Sequence, residues 1–184
     1  MTRVALLRHA DTAWSREGRI QGRTDVDILP GAAIPTLAET CRGMRIVTSP
    51  LSRCVQTAAL LGAPDAPREP RLIEMDWGDW QGQTLAALRE SLGEAMRENE
   101  ARGLDFRPPN GESPREVLVR VNTWLREVAT PTLAVTHRGV IRAVLAQATG
   151  WDMRGKPPFK LDWSAAHLFV VHDGKPSVER LNVK

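Results

Sequence analysis

Four apolar residues, Val4-Ala5-Leu6-Leu7, followed at once by Arg8-His9, constrain this chain more than any other stretch. An apolar run without alternation suits a strand buried on both faces, as the strands of parallel sheets are. Its abrupt end delivers two polar side chains at the strand's carboxyl edge. Open α/β sheets carry their chemistry in the crevice beyond that edge. Taken alone, Arg8-His9 is better explained by a strand that surfaces, and what other strand ends supply shifts the balance toward catalysis.

Two further apolar runs repeat the pattern. Met44-Arg45-Ile46-Val47-Thr48 predicts a second strand, and Thr132-Leu133-Ala134-Val135-Thr136 predicts another that ends at His137. Arg71-Leu72-Ile73-Glu74 is expected to be a further strand end, with Glu74 at its tip. Between these runs lie helical patterns. A modest helix is expected from about Gly31 to Arg42, with Ile34, Leu37, Ala38 and Cys41 on one face. Ser49-Pro50 is expected to open a helix with a serine cap and a proline in the first turn. Leu85, Leu88, Leu92, Ala95 and Met96 mark a helix that fades into the charged 97–103 segment. Ser113-Pro114-Arg115-Glu116 is a capping box, and Val117, Leu118, Val121, Trp124, Leu125 and Val128 follow it at helical spacing. Val140, Ile141, Val144, Leu145 and Ala148 line a last helix. Two strands near 165–172 and 177–183 flank Gly174, as in a hairpin. The expected fold class is α/β, a three-layer sandwich with a mostly parallel central sheet and helices on both faces. One domain over 1–184 is expected, with about 75–112 as a helical and loop insertion that forms part of the site cover; 104–112 has the look of a lid.

Composition narrows the classes of partner. With 42% hydrophobic and 26% charged residues and a net charge of +3, the chain lacks the basic excess of a nucleic-acid binder. No stretch approaches the roughly 18 apolar residues of a membrane span, and no signal peptide precedes Met1-Thr2-Arg3. Cys41 and Cys54 form no metal or disulfide pattern and are expected to be buried thiols. A cytoplasmic protein with no nucleic-acid or membrane partner is the expectation.

Arg8-His9, Arg53, Glu74 and His137 each follow a strand or open a helix in this scheme. Two guanidinium forks beside a helix start suit a phosphoryl group, whose oxygens match their geometry. A neutral imidazole is a competent nucleophile toward phosphorus, and a carboxyl group kept protonated can donate to a departing alkoxide. The pair His9 and His137 has no HxH, HExxH or cysteine cluster beside it, and the arginines would repel a cation, so neither a metal nor another cofactor is expected.

LLRHADTAW, TSPLSRCVQTA, LIEMDWGDWQG, NGESPREVLVRV and VTHRGVIRAVL, in that order, resemble the motifs of the histidine phosphatase superfamily, which includes the cofactor-dependent phosphoglycerate mutases. The resemblance spans about residues 3 to 145. It implies a metal-independent, acid-type phosphomonoesterase acting through a phosphohistidine on a small phosphorylated metabolite. By motif position, His9 is similar to the nucleophile, Arg8, Arg53 and His137 to the phosphate pocket, and Glu74 to the proton donor. Ser15, Gln21, Gly22 and Arg138 fall where similar enzymes contact phosphate or substrate. Three positions depart from the pattern: Ala10 replaces a usual glycine, Ser15 stands where many members carry asparagine, and Arg138 stands where glycine is common.

Within the family the pattern is nearest to small phosphatases that cleave α-ribazole phosphate and to sugar-phosphate phosphatases. A phosphoglycerate mutase is the alternative. The glutamate motif differs from that of the mutases, and the chain ends soon after its last strand, so water is expected to reach the site. A non-catalytic module that binds a phosphorylated ligand is a further alternative, and the presence of all five site residues argues against it. His167 and His172 are expected to be structural. Trp77 and Trp80 are expected either to pack or to form a substrate wall. The turn bearing Arg19, Gln21, Gly22 and Arg23 either covers the phosphate or is simply solvated.

Overall fold

The N-terminal apolar run forms strand β1 (Thr2–Arg8), the middle strand of a five-stranded sheet in the computed structural model. The structure describes residues 1–33, 37 and 39–184. Across the sheet the order is β2 (Arg45–Thr48), β3 (Thr132–Thr136), β1, β4 (Ala166–His172) and β5 (Lys175–Val183). The first three strands are parallel, and β4 and β5 are added antiparallel as the hairpin around Gly174. Asp173 and Gly174 both adopt positive φ, 50° and 74°, which is the backbone that a tight hairpin demands.

Register decides where the polar ends fall. Arg8 is opposite Thr136, and Thr48 is opposite Val135. The residues that follow therefore leave the sheet side by side. His9 N–H donates to Thr136 O at 3.0 Å and Ser49 N–H to Val135 O at 2.9 Å.

Alternate residues of β1 enter different cores, which is why its sequence shows no polar alternation. Val4 and Leu6 pack with Val117, Val121, Trp124, Ile141 and Val144, the buried stripes of α5 (Pro114–Glu127) and α6 (Arg138–Thr149). Ala5 and Leu7 face the opposite layer with Cys41, Leu133 and Leu168. On that side Cys54 and Ala58 of α2 (Ser52–Leu60) cover Val135. The expected three-layer α/β architecture is the one observed. The capping box of α5 is also as expected: Ser113 Oγ accepts from Glu116 N, and the Glu116 carboxylate accepts from Ser113 N at 2.9 Å.

Several local expectations need correction. Arg71–Glu74 is not a strand end. Residues 67–69 make only a single parallel bridge to Thr48, after which Pro70–Leu72 turn into a 3₁₀ helix and Glu74 stands on a loop. Pro70 has no N–H with which to continue a ladder. Ser49 does not cap α2; the helix begins at Ser52 behind Leu51, and Asp25 Oδ1 accepts from both Ser52 N and Ser52 Oγ at 2.8 Å. The helix expected over 85–96 is two, α3 (Leu85–Leu92) and α4 (Glu94–Glu100), broken where Gly93 takes a φ of 53°. The first loop holds a short helix, α1 (Ala13–Arg16), capped by Thr12. Of the helix expected over 31–42, residues 34–36 and 38 lie outside the described residues, and Glu39–Cys41 form a 3₁₀ turn.

Residues 75–112 carry a small core of their own. Trp80, Leu88 and Met96 pack with Ile20, flanked by Trp77, Leu85 and Phe106. The 104–112 segment is tied at both ends, by Leu104 N to Asp152 O at 3.0 Å and by Glu112 N to Asp76 O at 2.8 Å.

Candidate active site

The parallel register brings His9 and His137 to adjacent strand ends, with ring centroids 5.4 Å apart. Both rings are buried, His9 being 4% and His137 0% exposed. His9 Nδ1 lies 2.7 Å from Ala10 O. A carbonyl only accepts, so Nδ1 carries the proton and Nε2 keeps its lone pair. Burial holds the His9 imidazole well below its ordinary value, and the Arg8 and Arg53 cations push the same way. Ala10 N donates to Thr57 Oγ1 at 2.9 Å, so the carbonyl that fixes the ring belongs to a residue pinned by α2. His137 is the N-cap residue of α6. Its Nε2 shares a hydrogen bond of 2.7 Å with Ser49 Oγ, and Cys54 Sγ lies 3.4 Å from the same nitrogen. Burial, then Arg53, keeps this ring neutral as well.

Arg53 is fully buried in the first turn of α2. It donates through one Nη to Thr24 O at 2.9 Å and through the other to Gly22 O at 2.8 Å. A guanidinium has five donors, and its Nε–H is buried with no partner; the Nε–H of Arg8 is in the same condition. Two unpartnered guanidinium donors beside two neutral imidazoles make a seat suited to an anion.

Glu74 approaches from its loop. Its Oε1 accepts from Met75 N at 2.8 Å and its Oε2 from Gly139 N at 3.3 Å, in the first turn of α6. Those bonds and the Arg53 charge pull its pKa down, but burial outweighs them and pushes it up. The site therefore holds an imidazole kept neutral and a carboxyl group biased toward its acid form, which is how acid and base roles are divided at one pH. Gly139 has no side chain for a spatial reason. A Cβ there would overlap Glu74 Oε1 and lie 3.2 Å from Glu74 Cδ.

A cavity of about 570 Å³ is lined by Arg8, His9, Ser15, Gln21, Gly22, Glu74 and Arg138, which brings the expected contact residues to one place. Arg53 and His137, both fully buried, do not line it. A second hollow of about 670 Å³ opens on the other side of Arg8 and His9, between Asp11, Arg16 and residues 160–164, but Glu74 does not line it. Ser15 spends its hydroxyl locally, accepting from Thr12 N at 2.9 Å in the cap of α1. Gln21 Oε1 accepts from Thr12 Oγ1 at 2.9 Å, leaving its amide donors for the cavity. Gly22 adopts a φ of 52°, and Gln81 Oε1 accepts from Arg23 N at 2.6 Å and Thr24 N at 3.0 Å, fixing the turn whose carbonyls hold Arg53. Trp77 is a cavity wall and Trp80 is core. His167 is buried in β4, where its Nδ1 accepts from Asn182 N at 3.2 Å.

Among the described residues, no group of three or more His, Cys, Asp or Glu side chains converges to hold a metal ion, and no helix is long and apolar enough to cross a membrane.

The family model described as the histidine phosphatase superfamily (branch 1) matches residues 4–184. The chain belongs to that superfamily. Over 198 aligned residues it is 27% identical to phosphoserine phosphatase 1 of Hydrogenobacter thermophilus, covering 100% of this chain and 93% of the relative. It is 28% identical to a 2,3-bisphosphoglycerate-dependent phosphoglycerate mutase of Beijerinckia indica, covering 86% of each. The chain spans about half the length, 54%, of mycobacterial relatives with which it is 30% identical. The structure of a mycobacterial glucosyl-3-phosphoglycerate phosphatase shares the fold, with a TM-score of 0.83 at 24% identity over 99% of both chains. Phosphomonoester hydrolysis is the activity that membership of this superfamily supports.

Sequence reasoning missed three residues of this candidate site. Ser49, mistaken for a helix cap, is the partner of His137. Thr57 positions Ala10. Arg142 lines the cavity one turn beyond Arg138. Only the last had a visible signal, an arginine four residues after Arg138 in an otherwise apolar helix.

Proposed function

We propose that this enzyme hydrolyses phosphomonoesters through a phosphohistidine formed on His9. The observation that carries the reading is the bond between His9 Nδ1 and Ala10 O, which leaves Nε2 unprotonated on a cavity that also holds a carboxyl group with a raised pKa. In the first step Nε2 attacks phosphorus, and the bond to the ester oxygen breaks as that oxygen takes the Glu74 proton. Arg8, Arg53 and His137 stabilise the phosphoryl oxygens, where charge gathers in the transition state, and the unpartnered Nε–H groups of Arg8 and Arg53 are the donors at hand. In the second step the Glu74 carboxylate takes a proton from water, the hydroxide oxygen bonds phosphorus, and the His9–phosphorus bond breaks to release phosphate. The arginines neutralise the transferred group, which supports a metal-independent, acid-type phosphatase. Residues 75–112 supply Met75, Trp77, Leu85, Arg89 and Phe106 to the cavity and serve, in this reading, as the site cover of a single domain. The buried free thiols Cys41 and Cys54 support a reducing, cytoplasmic setting.

The substrate is a small phosphorylated metabolite. Relatives of both phosphatase and mutase kinds align with the chain, so isomerisation is measured alongside phosphate release. The test is a rapid-quench experiment with labelled substrate in the presence of a chelator. An acid-labile, base-stable phosphoenzyme is expected in the wild type and none in His9→Ala. A label retained in His9→Ala moves the nucleophile elsewhere.

A further inference from the structure

Arg138 and Arg142 stand apart from the other arginines of the cavity. Arg8 lies 3.6 Å from Asp11, Arg19 pairs with Glu17 at 2.7 Å and Arg89 with Glu100 at 2.6 Å. Among the described residues, Arg138 and Arg142 have neither an ion-pair nor a hydrogen-bond partner. What holds them is stacking: the Arg138 guanidinium lies 4.5 Å from the Trp163 ring centre, and that of Arg142 lies 5.2 Å from the Trp151 ring centre. Four residues apart on α6, they share a helix face and repel one another, and both line the cavity together with Glu74. Burial and the charge of Arg138 lower the pKa of Arg142, so holding both cations here costs free energy that an anionic partner would offset. The one acid that acts on Arg138 is Glu74, whose own burial favours its neutral form.

Position adds a direction. Arg138 lies between His137 and Gly139, whose N–H reaches Glu74 Oε2 at 3.3 Å. Glu74 protonates the leaving oxygen in the proposed mechanism; Arg138 borders both Glu74 and the Arg8–His9 seat, and Arg142, one turn further along α6, extends the cationic lining beyond it toward the space open to a leaving group. We infer that Arg138 and Arg142 seat a second anionic group carried by the leaving group. The preferred substrates are then phosphomonoesters that also bear a carboxylate or a second phosphate. A planar fork held by an aromatic ring is suited to either, because its parallel donors match two anionic oxygens. The inference rests on the catalytic reading of His9 and Glu74.

The test compares kcat/KM for matched pairs: 3-phosphoglycerate against glycerol 3-phosphate for a carboxylate, and fructose 1,6-bisphosphate against fructose 6-phosphate for a second phosphate. p-Nitrophenyl phosphate reports the chemistry in the absence of either. In the wild type at least one pair is expected to favour the doubly anionic ester. Arg138→Gln and Arg142→Gln are each expected to lower that ratio by about 10- to 100-fold, the loss of a hydrogen bond to a charged group. Arg142→Lys is expected to restore part of it, which a purely packing role for the side chain would not do. A wild-type ratio near one for both pairs, or a ratio unmoved in the double variant, overturns the inference while leaving the catalytic reading standing. Absence of hydrolysis of every ester, p-nitrophenyl phosphate included, overturns both.

Discussion

Gly139→Ala tests whether the position of Glu74, and not merely its presence, sets the rate. The added methyl would overlap Glu74 Oε1 and lie 3.2 Å from Glu74 Cδ and 3.3 Å from Met75 Cβ. Helix α6 cannot retreat to make room, because Val140, Ile141 and Val144 behind it are at most 1% exposed. The carboxyl group must therefore give way, by on the order of 1 Å, to restore ordinary contact distances. Its bond from Gly139 N is lost or lengthened, and the oxygen that delivers the proton leaves its place. A misplacement of this size costs about 10²-fold, or about 2.7 kcal/mol in the barrier. Alanine is the better helix former by roughly 1 kcal/mol, so strain and propensity oppose one another and the fold is expected to survive. The assay is single-turnover kinetics on an alkyl phosphate and on p-nitrophenyl phosphate, with a thermal melt as control. An alkoxide needs the proton of Glu74, whereas p-nitrophenolate departs without it, so the loss is expected on the alkyl ester and little of it on the aryl one. Full activity on the alkyl ester would refute the placement of the proton donor. Equal loss on both would mean that the methyl damages the phosphate seat instead.

Glu74→Gln is expected to slow phosphoenzyme formation from alkyl phosphates about 10²–10⁴-fold more than from p-nitrophenyl phosphate. Because burial raises the Glu74 pKa, wild-type kcat/KM on alkyl esters should decline as pH rises through that value, and the variant should lack this limb; a limb that persists assigns it to another group. Ser49→Ala removes the hydroxyl bonded to His137 Nε2 and is expected to cost about 1–3 kcal/mol in urea unfolding, with a fall in kcat; no change in either would make the bond incidental. Acid should destabilise the fold, because His9, His137 and His167 all have folded pKa values lowered from 6.5 and the unfolded chain binds their protons more readily. Their contribution is fully present above pH 6.5 and is lost as pH falls, at up to about 1.4 kcal/mol per unit for each ring. For His167, lowered to about 4, the window runs from pH 6.5 down to about 4, and His167→Gln should flatten the unfolding free energy by nearly one proton across it. An unchanged slope would mean that His167 titrates alike in both states.

What the sequence determined by itself were the features governed by neighbours along the chain. The doubly buried β1 follows from Val4 to Leu7, the capping box of α5 from Ser113 and Glu116, and the hairpin from Gly174, each resting on the chemistry of a few consecutive residues. The five motifs also carry Arg8, His9, Arg53, Glu74 and His137 as one set along the chain. What tertiary structure decided was the choice between competing partners. Ser49 has the right chemistry to cap a helix, yet β3 brings His137 within 2.7 Å and takes the hydroxyl. Leu72 and Ile73 have the right composition for a strand, but Thr48 offers residues 67–69 only one bridge, and Pro70 has no N–H to extend it. Glu74 reaches the site from a loop because Met75 N and Gly139 N hold it there, the second of these 65 residues away. The pKa shifts of His9 and Glu74 belong to this second class as well. Desolvation is a property of everything packed around a group, so no local pattern of residues encodes it.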